Sequence, residues 1–261
     1  MRLLREVHSV LLAGVRGDEK QPGEFRTNQN WIGPQGCTLK TAKYVPPNIK
    51  DMTKALPDLE IFINQEDDFD PLIKEALIHY QFETIHPFLD GNGRIARLLI
   101  TLFLLNANVL KSPALYFSYF SKLNRVEYYD RMMDVRRNGN YEQWVSFFIK
   151  AFLESTQDAI QTIDELMELH NNSLKSIKEA GFSPCSLKTR IELFNYLESS
   201  PIIEIQNTAN ALDVSYNTLK RAVNDLQSIG ILTKQDDKHR GRTYAYESYL
   251  NILRREIISL L

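Results

Sequence analysis

Two helical hydrophobic periods meet at one short turn, Asp90-Gly91-Asn92-Gly93, and that junction constrains the chain more than any other feature. Upstream, Pro71 to Ile85 carries Leu72, Ile73, Ala76, Leu77 and Tyr80 at amphipathic spacing, which predicts a helix. Downstream, Ile95, Leu98, Leu99, Leu102 and Leu105 repeat at helical spacing too. Glycines at such a junction let backbone N–H groups turn towards a ligand, and the N-terminus of the second helix adds partial positive charge. Arg94 and Arg97 stand three apart on its first turn, so both can face the same bound oxygens. Gly-Asn-Gly alone is usually no more than a turn with an N-cap. Here His86 precedes it, Asp90 opens it and two arginines follow, a set of groups suited to chemistry on a nucleotide phosphate.

A chain of 261 residues has room for two domains, and 43% hydrophobic with 25% charged residues is a globular composition. A net charge of −2 gives no global attraction to nucleic acid or membrane. Cys37 and Cys185 are too few and too far apart for a disulfide scaffold and suit a reducing cytoplasm. Charge within Met1 to Glu6 argues against a signal peptide, and Ile95 to Leu105 is too short to span a bilayer.

Along the chain, Met1 to about Gly14 is predicted helical and Arg16 to Gly36 a long structured loop. Thr38 to Val45, ending at Pro46-Pro47, is expected to form a short hairpin flap. Asn48 to Asn64 is expected to be helical with a break or kink at Pro57. Asn124 to Arg137 and Tyr141 to about Lys178 are further helices, separated by Asn138-Gly139-Asn140. Of the other histidines, His8, His79, His170 and His239 are expected to be structural or solvent-exposed.

At this point the chain resembles a known family. His86 to Arg97 matches the Fic signature His-Pro-Phe-x-Asp-Gly-Asn-Gly-Arg-x-x-Arg at every fixed position. The similarity extends to Pro22 to Arg26, Asn30 to Gly33, Tyr44 to Pro47 and Tyr128-Tyr129. The resemblance implies a mostly α fold, a Fic-type helical bundle with a short β-hairpin flap. It also implies transfer of AMP from ATP to a hydroxyl side chain (Ser, Thr or Tyr) of a target protein or of the chain itself, although some relatives use other nucleotides or remove AMP.

On that reading His86 is the general base and Asp90 supplies a hard oxygen to Mg²⁺. Gly91, Asn92 and Gly93 present N–H groups to the α- and β-phosphates, while Arg94 and Arg97 neutralise the outer phosphates; Ile95 and Ala96 fall within the same nucleotide-binding signature. Thr41, Ala42, Lys43 and Tyr44 form the flap over the nucleotide, which also receives the target peptide as an added strand. Tyr128 and Tyr129 correspond to a pair near the adenine. Arg136, Arg137 and Asn138 fall close to where some relatives place an asparagine against the base. Many Fic proteins carry an inhibitory helix with Ser/Thr-x-x-x-Glu-Gly/Asn, and no glutamate here is followed by Gly or Asn. Either that helix was removed or it acts in trans, and Arg97 of the chain as given is expected to be available to the γ-phosphate.

Composition shifts again at Gly181-Phe182-Ser183-Pro184, which places a boundary between a domain at 1–182 and a second at 183–261. Predicted helices Leu187 to Leu197, Ile205 to Leu212 and Tyr216 to Ile229 precede two strands, Ile231 to Lys234 and Thr243 to Tyr246. That order resembles a small winged helix-turn-helix domain. Tyr216, Asn217, Lys220, Arg221 and Asn224 would lie on its recognition helix, with Lys238, Arg240 and Arg242 on the wing. Residues 184–261 hold ten Lys/Arg against nine Asp/Glu, weak for a duplex binder, so DNA and a protein partner both stay open. Two functions stay open: a cytoplasmic adenylyltransferase, or a DNA-binding transcriptional regulator whose Fic domain senses nucleotide; the resemblance implies a bacterial source. Relatives often pair, so a homodimer is among the expected partners, and a membrane is not.

Overall fold

The computed structural model describes residues 1–13, 21–113, 115, 117–235 and 242–258. Two compact units result, Met1–Thr156 and Gln157–Leu261. The first contains α1 (Arg2–Leu12), α2 (Ile49–Asn64), α3 (Pro71–Ile85), α4 (Asn92–Asn106), α5 (Phe117–Leu123) and α6 (Arg125–Asn138). The long α7 (Tyr141–Glu179) begins in the first unit and ends in the second.

The axis of the first unit is α3. Asp70 starts it, its carboxylate accepting from the N–H groups of Leu72 and Ile73, and Pro71 sits where no donor is needed. The expected amphipathic stripe understates its burial. Leu72, Ile73 and Leu77 are only half-buried, whereas Glu75, Ile78, His79, Phe82 and Glu83 are buried on other faces. Polar residues that look solvent-facing in the sequence are enclosed because helices pack on more than one side of α3. On one side Ala76 and Tyr80 join Ile100, Leu104, Trp144 and Phe148, with the Trp144 Nε1–H donating to the Ala76 carbonyl at 2.8 Å. On the other, Ile78, Phe82 and Ile85 meet Met52, Leu56 and Leu59 of α2 and Leu4 of α1. Each buried Leu, Ile, Phe or Met among them contributes about 1.5–3 kcal/mol by leaving water.

Two local expectations are corrected. Pro57 does not break α2, which runs through it, because Met52, Leu56 and Leu59 on both sides of it are held in one core cluster. The flap is not a β-hairpin. It is a loop with a single antiparallel bridge, Ile32 to Tyr44, and a turn at Thr38 to Thr41. The next ladder positions on either side would use the N–H groups of residues 34 and 46, and both are prolines.

Gly139 ends α6 in the left-handed region at φ +70°, its N–H bonded to the Val135 carbonyl. Gly139→Ala is expected to cost about 1 kcal/mol. Urea unfolding followed by tryptophan fluorescence would measure it, since Trp31 and Trp144 both belong to the first unit.

In the second unit α8 (Pro184–Ser199), β1 (Ile202–Glu204), α9 (Ile205–Ala211), α10 (Tyr216–Ser228), β2 (Thr233–Lys234), β3 (Thr243–Ala245) and α11 (Glu247–Ile258) follow the end of α7. The sheet order is β1-β3-β2, antiparallel throughout, with Ile203 opposite Tyr244 and Thr233 opposite Ala245. Neither β1 nor α11 was expected from the sequence. The core joins Ile177 of α7 to Leu193, Phe194, Leu219, Val223 and Leu226. Arg190 of α8 pairs with Asp225 of α10 across it. Ser215 caps α10, accepting from the Thr218 N–H.

Candidate active site

The site begins where α3 stops. His86 takes the left-handed conformation, φ 50° and ψ 61°, while its N–H still bonds the Phe82 carbonyl. Pro87 disfavours helix at the preceding residue, so the chain must leave the helical path there. Such a conformation at a histidine is strained and persists only when its surroundings hold it. Arg26, fully buried, does so: its Nε–H donates to the His86 carbonyl at 3.0 Å and other guanidinium N–H groups reach the carbonyls of Pro47 and Asn28. Its own N–H bonds the Pro87 carbonyl at 2.8 Å. Burial lowers the Arg26 pKa from its ordinary value.

The turn itself is clamped from below. The Asn92 side chain is buried, accepting from the Phe88 N–H at 2.8 Å and donating to the Phe88 carbonyl at 2.7 Å. His8 stacks on Phe88, ring centroids 3.9 Å apart, and contacts the Asp90 carbonyl through Nε2 at 3.1 Å. Because its Nδ1 accepts from the Gly23 N–H, the Nε2 carries the proton and His8 is neutral. Burial lowers its pKa. Gly91 forms the N-cap of α4 at φ +79°, where a Cβ would lie 3.4 Å from the His8 ring. With no capping side chain, the N–H groups of Asn92 and Gly93 are left to a ligand. A Cβ on Gly93 would come within 3.1 Å of an Arg97 nitrogen.

His86, Asp90, Gly91, Gly93, Arg94 and Arg97 line one cavity of about 450 Å³. The His86 Nδ1 is buried within the protein, which leaves Nε2 as the ring nitrogen able to face that cavity. Asp90 is half-exposed; one oxygen accepts from the Gly91 N–H at 2.6 Å and the other lies 3.7 Å from Arg94. Among the described residues no carboxylate forms an ion pair with Arg97, and no group of three His, Cys, Asp or Glu side chains converges. A single exposed carboxylate beside an uncapped helix N-terminus nonetheless fits Mg²⁺, which takes one or two carboxylates and fills its shell with phosphate and water.

Other expected residues divide. Ile95 and Ala96 do not line the cavity: they are core residues on the opposite face of α4, and the Ala96 carbonyl contacts His79. Tyr128 is mostly buried, its hydroxyl 2.8 Å from the His79 Nε2, and still lines this cavity and the larger of its neighbours, while Tyr129 is exposed and lines this cavity and both neighbours. One neighbour, about 420 Å³, is lined by Lys43, Tyr44, Tyr129, Met133 and Arg136. The other, about 680 Å³, is lined by Arg94, Arg97, Lys122 and Arg125. Thr41 lies in the exposed turn, away from these cavities, and Ala42 lines none of them. Arg136 packs over the Tyr44 ring at 3.5 Å and donates to the Thr84 hydroxyl, while Arg137 and Asn138 are exposed. Tyr216, Asn217, Lys220, Arg221 and Asn224 share the exposed face of α10, and Arg242 is exposed. Lys238, His239 and Arg240 lie outside the described residues.

Sequence reasoning assigned no role to Arg26 or Glu83, whereas His8, expected to be structural or exposed, is structural. Arg26 ends the matched segment Pro22 to Arg26, and Glu83 is an acid three residues before His86 in an apolar stretch.

With the geometry established, residues 1–104 match the Fic/DOC family. The chain contains a Fic/DOC domain. It is 30% identical over 175 residues to "Protein adenylyltransferase Fic" of Drosophila virilis, covering 64% of this chain and 32% of that one. The corresponding protein of Culex quinquefasciatus is 32% identical over 146 residues, covering 55% and 26%. This chain thus spans about a third of the length of such relatives. A Fic family protein from Desulfovibrio desulfuricans shares the fold, with a TM-score of 0.53 and 20% identity over 93% of this chain and 67% of that one. The Fic/DOC domain lies in a mostly helical chain, and among the described residues no helix is long and apolar enough to cross a membrane.

Proposed function

We propose that this chain transfers AMP from ATP to a hydroxyl side chain of a target protein, and of itself, in a reducing compartment such as the cytoplasm. The observation that carries the reading is the single cavity shared by His86, the uncapped glycine turn and two guanidiniums. The target hydroxyl gives its proton to the His86 Nε2 as its oxygen bonds the α-phosphorus. The bond from that phosphorus to the bridging oxygen breaks, and pyrophosphate leaves with the electron pair. The N–H groups of Asn92 and Gly93 meet the α- and β-phosphates, and Arg94 and Arg97 balance the outer charge. Asp90 would hold Mg²⁺, which supplies charge neutralisation to the leaving group when bound. Lys43, Tyr44 and Tyr129 border the place for the base, and the edge at Tyr44 offers backbone to an extended peptide.

Residues 183–261 are read as a winged helix-turn-helix that selects the partner, through the exposed face of α10. Incubation with ATP labelled at the α- or the γ-phosphate, with Mg²⁺, tests the transfer. The α-label is expected on protein and the γ-label is not. Retained γ-label would mean phosphoryl transfer, and salt-sensitive duplex binding with no label would favour a regulator.

A further inference from the structure

The Glu83 carboxylate is buried, 8% exposed, one turn below the catalytic loop. One oxygen stands 3.6 Å from the His86 Nδ1, and the other lies on the Arg97 side of Gly93, 3.4 Å from where a Cβ there would sit. The His86 backbone is held by Arg26 and the Phe82 carbonyl, but its ring is not: Nδ1 is buried without a hydrogen-bond partner. Glu83 is the carboxylate that faces it among the described residues. A charge in such a place is costly unless it serves its neighbours. Burial pushes the carboxyl pKa up, yet the His86 ring, His79 and Arg97 outweigh it and hold Glu83 below its ordinary value, so it remains an anion.

We infer that Glu83 is the positioning residue for His86: it draws the Nδ1–H, fixes the tautomer that leaves Nε2 bare, and stabilises the imidazolium formed during transfer. This rests on the transferase reading above. Glu83 takes no proton. The hydroxyl proton ends on the His86 Nε2, Nδ1 keeps its own, and the carboxylate stays ionised beside the cation. The separation of 3.6 Å exceeds a hydrogen bond, and catalytic contacts of this kind tighten when substrate binds. The position suits this task more than nucleotide binding, because Glu83 would repel a phosphate and forms no ion pair with Arg97.

The full chain with ¹⁵N-labelled histidine, free of ligand, reports the tautomer directly. Wild type is expected to carry the His86 ring proton on Nδ1, and Glu83→Gln to spread it over both nitrogens. In the transfer assay Glu83→Gln should lower kcat on the order of 100-fold with KM for ATP unchanged, and Glu83→Asp should recover part of the loss. A wild-type ring protonated on Nε2, an unchanged kcat in Glu83→Gln, or a raised KM at constant kcat would each overturn the inference. If wild type transfers no label, the transferase reading fails, while the nitrogen spectrum still decides whether Glu83 sets the ring.

Discussion

His86→Ala is expected to lower the rate of self-modification by roughly 10³-fold while leaving the first unit folded. The expectation follows from where the ring stands. Its backbone is held by Arg26 and the Phe82 carbonyl, so removing the imidazole takes nothing from the clamp that shapes the turn. The ring is the base of the proposed reaction, and neither of the other two imidazoles of the first unit is free to replace it. His8 is committed to Gly23 and Asp90, and His79 to Ala96 and Tyr128. Binding should therefore survive while chemistry is lost. The measurement is the initial rate of α-label incorporation alongside the affinity for ATP. A variant that keeps more than a tenth of the wild-type rate would remove His86 from the role of base. A variant that no longer binds ATP would make it a nucleotide ligand.

The second large effect is on stability against pH. Burial among Trp144, Phe117, Tyr128 and Phe148 lowers the His79 pKa from its ordinary 6.5 to about 4. Its Nδ1–H donates to the Ala96 carbonyl and its Nε2 accepts from the Tyr128 hydroxyl, an arrangement that the cation cannot keep at Nε2. Between pH 6.5 and 4 the unfolded chain binds a proton that the folded one refuses. Stability therefore rises with pH through this window and is lost as pH falls through it. The loss amounts to about 3 kcal/mol by pH 4. His79→Gln retains a donor and an acceptor without titrating, so its stability should fall less over the same range. Urea unfolding at several pH values, followed through Trp31 and Trp144, measures the difference. Parallel curves for the two proteins would show that His79 is not the group responsible.

Much of the fold was legible because its signals are local. Asp70 before Pro71, Asn48 before Ile49 and Ser215 before Tyr216 mark helix starts by chemistry that acts within a few residues, and Gly139 marks a helix end in the same way. The flap was misread because its β-tolerant residues are local, whereas the cost of Pro34 and Pro46 appears only when Ile32 meets Tyr44. The α5 helix and β1 are short and depend on the cores they pack against, and α11, although of ordinary length, was not read.

The site divides in the same manner. The run from His86 to Arg97 declares itself because a phosphate cradle needs glycine, a helix start and cations within a dozen residues, all of which a linear order can display. What holds that run in place lies outside it: Arg26 under His86 and His8 against Phe88 come from distant parts of the chain, and Glu83 is brought beside the imidazole by the last turn of α3. Their roles depend on burial and on distances across separate elements, and neither quantity exists until the chain is packed. Sequence order alone therefore determined which chemical groups gather at the turn after α3. The tertiary structure decided which side chains carry charge in the interior and which ring nitrogen is left to act.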